Sequence, residues 1–306
     1  MDKHLNRYQM LFSLGLIFML ALAVGAFFAG VEVGSARTET RYEAKSLQAA
    51  AAKTAVAYTQ QDLVSFYHTV FSPYREFQSE WLKMESRLEA RSSAPSVGQL
   101  EQLGELASKK RKEIEAVALE AKGSLLTEAR ADYLRSLDRF VDAASHQKSA
   151  AAGSTPERFL TALRADKDYK QATADSLSGQ NRYYSAMLAW ASSTRSAIPQ
   201  QAELAGVVSL DKWSSSPLAV KNKLVADLLS KRGRMRDFLP QDLAGAVDQL
   251  IESGEADKLG LTSFQDAVEL LSGTGAVRSG DFWQIKSRLY GSEVLPQLPF
   301  FLPPES

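Results

Sequence analysis

Three textures of apolar and polar positions divide the chain. The first is QMLFSLGLIFMLALAVGAFFAGVEVG, residues 9–34, where 21 positions from Met10 to Gly30 carry no charge and only Ser13 interrupts the apolar run. A helix with no polar face, about 20 residues long, matches the hydrocarbon thickness of a bilayer. Residues 10–33 therefore read as a transmembrane anchor. Ala21-Leu22-Ala23 and Gly34-Ser35-Ala36 offer small-x-small cleavage sites. The apolar run is longer than the roughly 7–15 residues of a signal peptide, so an uncleaved anchor is the expectation. Lys3 and Arg7 before it nearly balance Arg37, Arg41 and Lys45 after it. Residues 1–9 inside as a short tail, with the bulk exported, is the usual arrangement for one anchor near the start.

The second texture has a period of 3.5 residues. Leu63, Tyr67, Val70, Tyr74, Phe77, Trp81, Met84 and Leu88 follow one another at steps of four and three. That is the seam of a helical bundle or coiled coil. Pro73 falls inside it, predicting a kink or a very tight joint. RSSAPSVG at 91–98 reads as a loop. Stripes then follow at Leu103, Leu106, Ile114 and Val117, and at Leu126, Ala129, Tyr133, Leu137, Phe140 and Ala144. Gly123-Ser124 marks a turn between them. Ser154 with Glu157 predicts a capping-box start for the next helix, which grows more polar toward Tyr183, Tyr184 and Trp190.

After Ile198-Pro199 the third texture begins, with short helices cut by glycine and proline. Starts are predicted at Ser216-Pro217, Pro240, Thr262 with Gln265, and Asp281 with Gln284; stops are predicted at Gly233, Gly254, Gly273 and Gly291. The four prolines of VLPQLPFFLPPES make residues 292–306 a strap or docking segment. The predicted fold is all-α: an anchor, a long-helix antiparallel bundle over 37–197, and a compact helical domain over 200–291.

Composition narrows function mainly by subtraction. With 36 basic and 36 acidic residues in 306, global charge selects no polyionic partner, and no nucleic acid is expected. There is no cysteine, and histidine stands only at 4, 68 and 146. Zinc sites usually draw three or four ligands from Cys, His and carboxylate, so no metal or cofactor is expected. His68 lies beside the seam and reads as a partly buried structural residue. GxSxG, GxxxxGK[ST] and GxGxxG are absent, and SGTGAVRSG at 272–280 reads as a turn between helices.

One enzymatic reading remains. All-α lytic transglycosylases cleave glycan with a glutamate in a Glu-Ser pair, and Glu252-Ser253 is such a pair. Their Asn-Pro and Gly-Leu-Met-Gln segments are absent or degraded here, so Glu252 is more simply the last turn of a helix.

Candidate interaction residues fall in two groups. Tyr183, Tyr184 and Trp190 lie in a polar helix and read as exposed aromatics of a recognition surface. Lys221, Lys223, Lys231, Arg232, Arg234 and Arg236 form a basic cluster that could meet anionic lipid or wall polymer. Lys109 to Lys112 form a second basic run, in which Lys110 falls on the apolar stripe. The expected role is a non-catalytic, membrane-anchored envelope scaffold, adaptor or assembly subunit, with a protein partner or a second copy. An extracytoplasmic ligand-binding or sensory module is the alternative.

Overall fold

The computed structural model describes residues 58–118 and 124–302, which belong to one compact unit, Val56–Ser306. The expected tail and anchor lie outside the described residues, as do residues 37–57 of the expected bundle and Gly123 of the expected turn. Among the described residues no helix is long and apolar enough to cross a membrane.

Among the described residues the fold is a bundle of α-helices with one isolated antiparallel bridge, Ser209 to Ser263. It opens on α1 (Gln60–Phe66), where the Thr59 hydroxyl takes the Asp62 N–H and Asp62 returns the bond to Thr59 N–H. The chain then runs through a π-helical turn, Tyr67–Phe71, into α2 (Ser72–Glu89) without a break. The wide turn is how the helix passes Pro73. Proline donates no hydrogen bond and its ring crowds the carbonyl four residues back. Opening the preceding turn lets Ser72 N–H bond Tyr67 C=O instead. The apolar phase therefore survives: every seam residue from Leu63 to Leu88 is buried except half-buried Tyr67.

Three further long helices complete the bundle: α3 (Val97–Ala116), α4 (Ser124–Ala151) and α6 (Lys167–Thr194), with α5 (Pro156–Ala165) bridging the last two. Side-chain pairs set their directions. Tyr74 bonds Ser136 and Phe77 packs on Phe140, so α2 and α4 run together. Lys148 pairs with Glu101 and Arg111 with Asp138, so α3 opposes α4. Arg182 meets Glu128 and Arg139 meets Asp168, so α6 opposes α4 as well. The closest pair is α4 with α6. Gly179 is its contact point: a Cβ there would stand 3.1 Å from the Tyr133 ring. The centre is aromatic, with Trp81 and Phe140 4.5 Å apart and Tyr74 and Tyr133 4.3 Å apart.

The helix ends are tied by side chains. Tyr58 hydroxyl accepts the Leu125 N–H at the start of α4, and Arg130 Nη2 caps the carbonyls of Ile114, Glu115 and Val117 at the end of α3. Two predicted caps are one residue early. Thr155 rather than Ser154 caps α5, and Ser263 with Asp266 rather than Thr262 with Gln265 caps α11 (Phe264–Thr274). In each pair the residue with extended backbone is the one whose hydroxyl reaches the N3 amide. Gly275, with φ 64°, ends α11 in place of Gly273.

The remaining helices are α7 (Leu210–Ser214), α8 (Leu218–Arg232), α9 (Pro240–Glu252), α10 (Glu255–Lys258) and α12 (Phe282–Leu289). The change of texture at Pro199 is a change of helix length, since one continuous apolar core runs from Tyr58 to Phe301. α8 packs on α6, α9 packs on α8, and the C-terminal segment turns back over both regions. Its Phe300 ring lies 5.7 Å from Tyr67 and its Phe301 ring 5.6 Å from Phe282.

Candidate functional site

The aromatic group expected at the surface is interior. Tyr183 and Tyr184 are 0% and 1% exposed, and Trp190 is 8% exposed. The reason is the position of α6, which is covered by α4, by the α1–π-turn segment and by α8. Tyr183 rests its ring 4.6 Å from Phe66 and donates its hydroxyl to Leu63 C=O. Tyr184 faces another way and donates to Gln241 Oε1 at 2.5 Å, fastening α6 to α9. Burial drives the phenol pKa of both well up, so both act as neutral donors. They hold the core together and present no recognition surface.

The basic cluster is divided by the fold. Lys221 and Lys223, 6% and 7% exposed, are ion-paired inside, Lys221 with Asp248 at 2.8 Å and Lys223 with Asp227 at 2.5 Å. Lys231 donates to Leu204 C=O. Arg232 pairs with Glu269 at 2.8 Å, and Arg234 joins Arg164 on Glu89. Arg236 is half-buried; burial first, then the adjacent Arg234, disfavours its charged form. Arg232, Arg234 and Arg236 thus remain as an outer arginine group at the C-terminal end of α2, with Glu89 in its midst. Four of the six cations serve carboxylates of this chain.

Lys110 resolves similarly. It is 7% exposed, and its Nζ reaches Glu76 of α2 at 2.5 Å and Glu113 at 2.9 Å. Burial opposes its charge, and the two carboxylates more than offset that, leaving its pKa raised. Its stem follows the apolar stripe while its head ties α3 to α2. His68 is exposed, with its ring edge-on to Tyr67 at 5.0 Å, because the π turn rotates it off the seam. Glu252, at the end of α9, is paired with Arg288, and both side chains are about half exposed. It stands as a surface ion pair.

The chemistry that sequence reasoning missed lies along α4 and α6. Glu128, Asp132, Arg135, Arg139 and His146 descend one face of α4; Arg182, Asp175, Asp168 and Asp166 descend the facing side of α6. Asp132, 1% exposed, is clamped by Arg135 and Arg182. Arg139 links Asp168 at 3.2 Å to Asp175 at 3.4 Å. At the far end His146 Nδ1 faces Asp166 Oδ2 at 3.6 Å and Asp168 Oδ2 at 3.5 Å. These are the one trio of His, Cys, Asp or Glu among the described residues whose ligand atoms gather within 4.8 Å. The Asp-Lys-Asp run opening α6 was the available signal. Its distance from His146 hid the pairing, since α5 loops out between them.

Grooves on this body are open and mixed in character. The one between α3 and α4 encloses about 650 Å³ and is lined by Gly104, Val141 and Ala144 together with Glu101, Glu105, Lys109, Lys112 and Lys148. Set beside known proteins, the chain matches no family model, no curated protein and no solved structure.

Proposed function

We propose that this chain is a non-catalytic helical scaffold or adaptor of the cell envelope, tethered by residues 10–33 with its body on the extracytoplasmic side. The observation that carries the reading is a conjunction. One uncharged run is long enough to span a bilayer, and the body beyond it spends its buried charges on its own fold. Asp132, Asp227, Asp248 and Lys110 each have partners of this chain, which supports a packing role for these four. A surface open to partners is the α3–α4 groove, whose wall of mixed charge, Glu101 and Glu105 beside Lys109, Lys112 and Lys148, suits a polar helix of a partner. The outer arginines at 232, 234 and 236 are a second contact for anionic headgroups or wall polymer.

The test is protease accessibility on intact cells with a tag after Ser306. Digestion of a full-length, detergent-extracted species is the expected outcome. Protection until lysis, or release of the chain by alkaline carbonate, overturns the reading.

A further inference from the structure

We propose that His146, Asp166 and Asp168 form a binding site for a divalent first-row transition metal ion, with Gln147 as an adjoining ligand or support. The inference stands on side-chain geometry and does not depend on the scaffold role.

Each carboxylate has one oxygen committed and one turned to the histidine. Asp166 Oδ1 takes the Tyr169 N–H at 2.9 Å, and Asp168 Oδ1 takes Arg139 Nη1 at 3.2 Å. The remaining oxygens, both Oδ2, are those that face His146 Nδ1. Carboxylates oriented by a second hydrogen bond are what metal centres use to fix their ligands. The spacing also suits an ion. Four ligands at about 2.1 Å in a tetrahedron lie about 3.4 Å from one another. The two His–Asp distances, 3.5 and 3.6 Å, are close to that edge and too long for good direct hydrogen bonds.

Gln147 supplies the independent observation. It is 6% exposed, its Nε2 lies 3.3 Å from Asp166 Oδ2, and its Oε1 has no hydrogen-bond partner. A buried amide oxygen without a donor, on an amide that touches a ligand atom, is satisfied if the amide turns over and offers Oε1 to a cation there. An imidazole among the ligands selects zinc-like ions over magnesium or calcium. Three protein ligands leave a position for water, and His146, with its side chain 57% exposed, gives the ion a route in from solvent.

The experiment uses the full-length chain in detergent micelles, with Zn²⁺ measured by competition against a chromophoric chelator at neutral pH. One equivalent per chain is expected, with affinity falling at least about tenfold in His146→Ala and in Asp168→Asn. His146 is exposed and Asp168 does not cap its helix, so both variants keep the fold; Asp166, the N-cap of α6, is left intact. His68→Ala is the control, expected to bind as the parent does. Co²⁺ in place of Zn²⁺ is expected to give visible absorption bands that vanish in His146→Ala. No stoichiometric binding by the parent chain, or equal binding by parent and His146→Ala, sinks the site. Loss of binding in His68→Ala in place of His146→Ala also overturns it.

Discussion

The long-helix bundle and the short-helix region solve the same problem, buried polar groups, in different ways. In the bundle the interior is aromatic, and its charges lie mostly in the seam between α4 and α6 or on snorkelling heads such as Lys110, with one buried carboxyl, Glu85 of α2, taking Trp81 Nε1 and the Tyr169 hydroxyl. In the short-helix region single carboxylates act as collecting points. Asp242 accepts the N–H groups of Leu239, Gly280 and Phe282. Asp227 collects Leu204 N–H, Asn181 Nδ2 and Lys223 Nζ. Asp248 collects Trp213 Nε1, Lys221 Nζ and the Tyr290 hydroxyl. The difference follows from helix length. Every helix leaves four N–H and four C=O groups unpaired at its ends, so a region of short helices has many more such groups per residue. Long helices can pack on side-chain shape alone; short ones also need acceptors that hold termini and loops in place.

The sharpest break of that comparison is Asp242→Ala. It strands three backbone donors, two of them fully inside, and is expected to cost about 3–5 kcal/mol at about 1–3 per unmet group. Tyr74→Phe, which removes a buried hydroxyl from Ser136 in the bundle, is expected to cost only about 1 kcal/mol. Urea unfolding of both variants measures the contrast; equal costs would mean that the two regions do not differ in this way.

The pH dependence of stability sharpens it further. Burial pushes the Asp242 carboxyl up to about 6 from an ordinary 3.8, with the three N–H bonds acting against burial. The folded protein then binds this proton more tightly than the unfolded chain does. The resulting stabilisation is complete below about pH 4 and is lost as pH rises through about 6, amounting to at most about 3 kcal/mol. Asp242→Asn removes the titration. Subtracting its stability-against-pH curve from the parent's is expected to leave a step falling between pH 4 and 6. A flat difference would show that the backbone donors cancel burial, and a step rising with pH would show that they outweigh it.

How much of this was legible in the chain depends on where the partners lie. The Leu63–Leu88 seam could be read because every partner shares one helix face at a fixed period. Tyr183 and Tyr184 could not, because α6 is covered on several sides and their polar neighbours, Asn181 and Arg182, face its rims. Lys221 and Lys223 looked like one basic surface because Asp248 stands 27 residues further on; only Lys223 with Asp227, four residues apart, was visible as an i,i+4 pair. His146 and the two aspartates of α6 are joined by the loop-out of α5, which no periodicity records.

Two glycines extend the comparison to packing. A Cβ on Gly245 of α9 would overlap Ile285 Cδ1 of α12, whereas one on Gly179 would meet the Tyr133 ring at 3.1 Å. Gly245→Ala is expected to cost about 1–3 kcal/mol by overpacking, and Ile285→Val in the same chain is expected to recover part of it. Gly179→Ala gains up to about 1 kcal/mol of helix propensity against a milder crowding, so its net effect is expected within about 1 kcal/mol of zero. Thermal unfolding of the three variants decides between a tight short-helix junction and a uniformly tight core.

The smallest effect belongs at Glu252, and its smallness is the point. Its pair with Arg288 is about half exposed on both sides, and exposed ion pairs contribute about 0–1 kcal/mol. Glu252→Gln is expected to shift stability by less than about 0.5 kcal/mol, and raised salt is expected to erase even that by screening. The same variant addresses chemistry. A glutamate that protonates a glycosidic oxygen needs a site that raises its pKa, which means burial or a neighbouring carboxylate. Glu252 instead stands about half exposed beside the Arg288 guanidinium, which is neither setting. Incubation of parent and Glu252→Gln with purified peptidoglycan is expected to release no soluble glycan from either. Release by the parent and not by the variant would make Glu252 a catalytic acid, and the surface pair would then be the resting state of an active site.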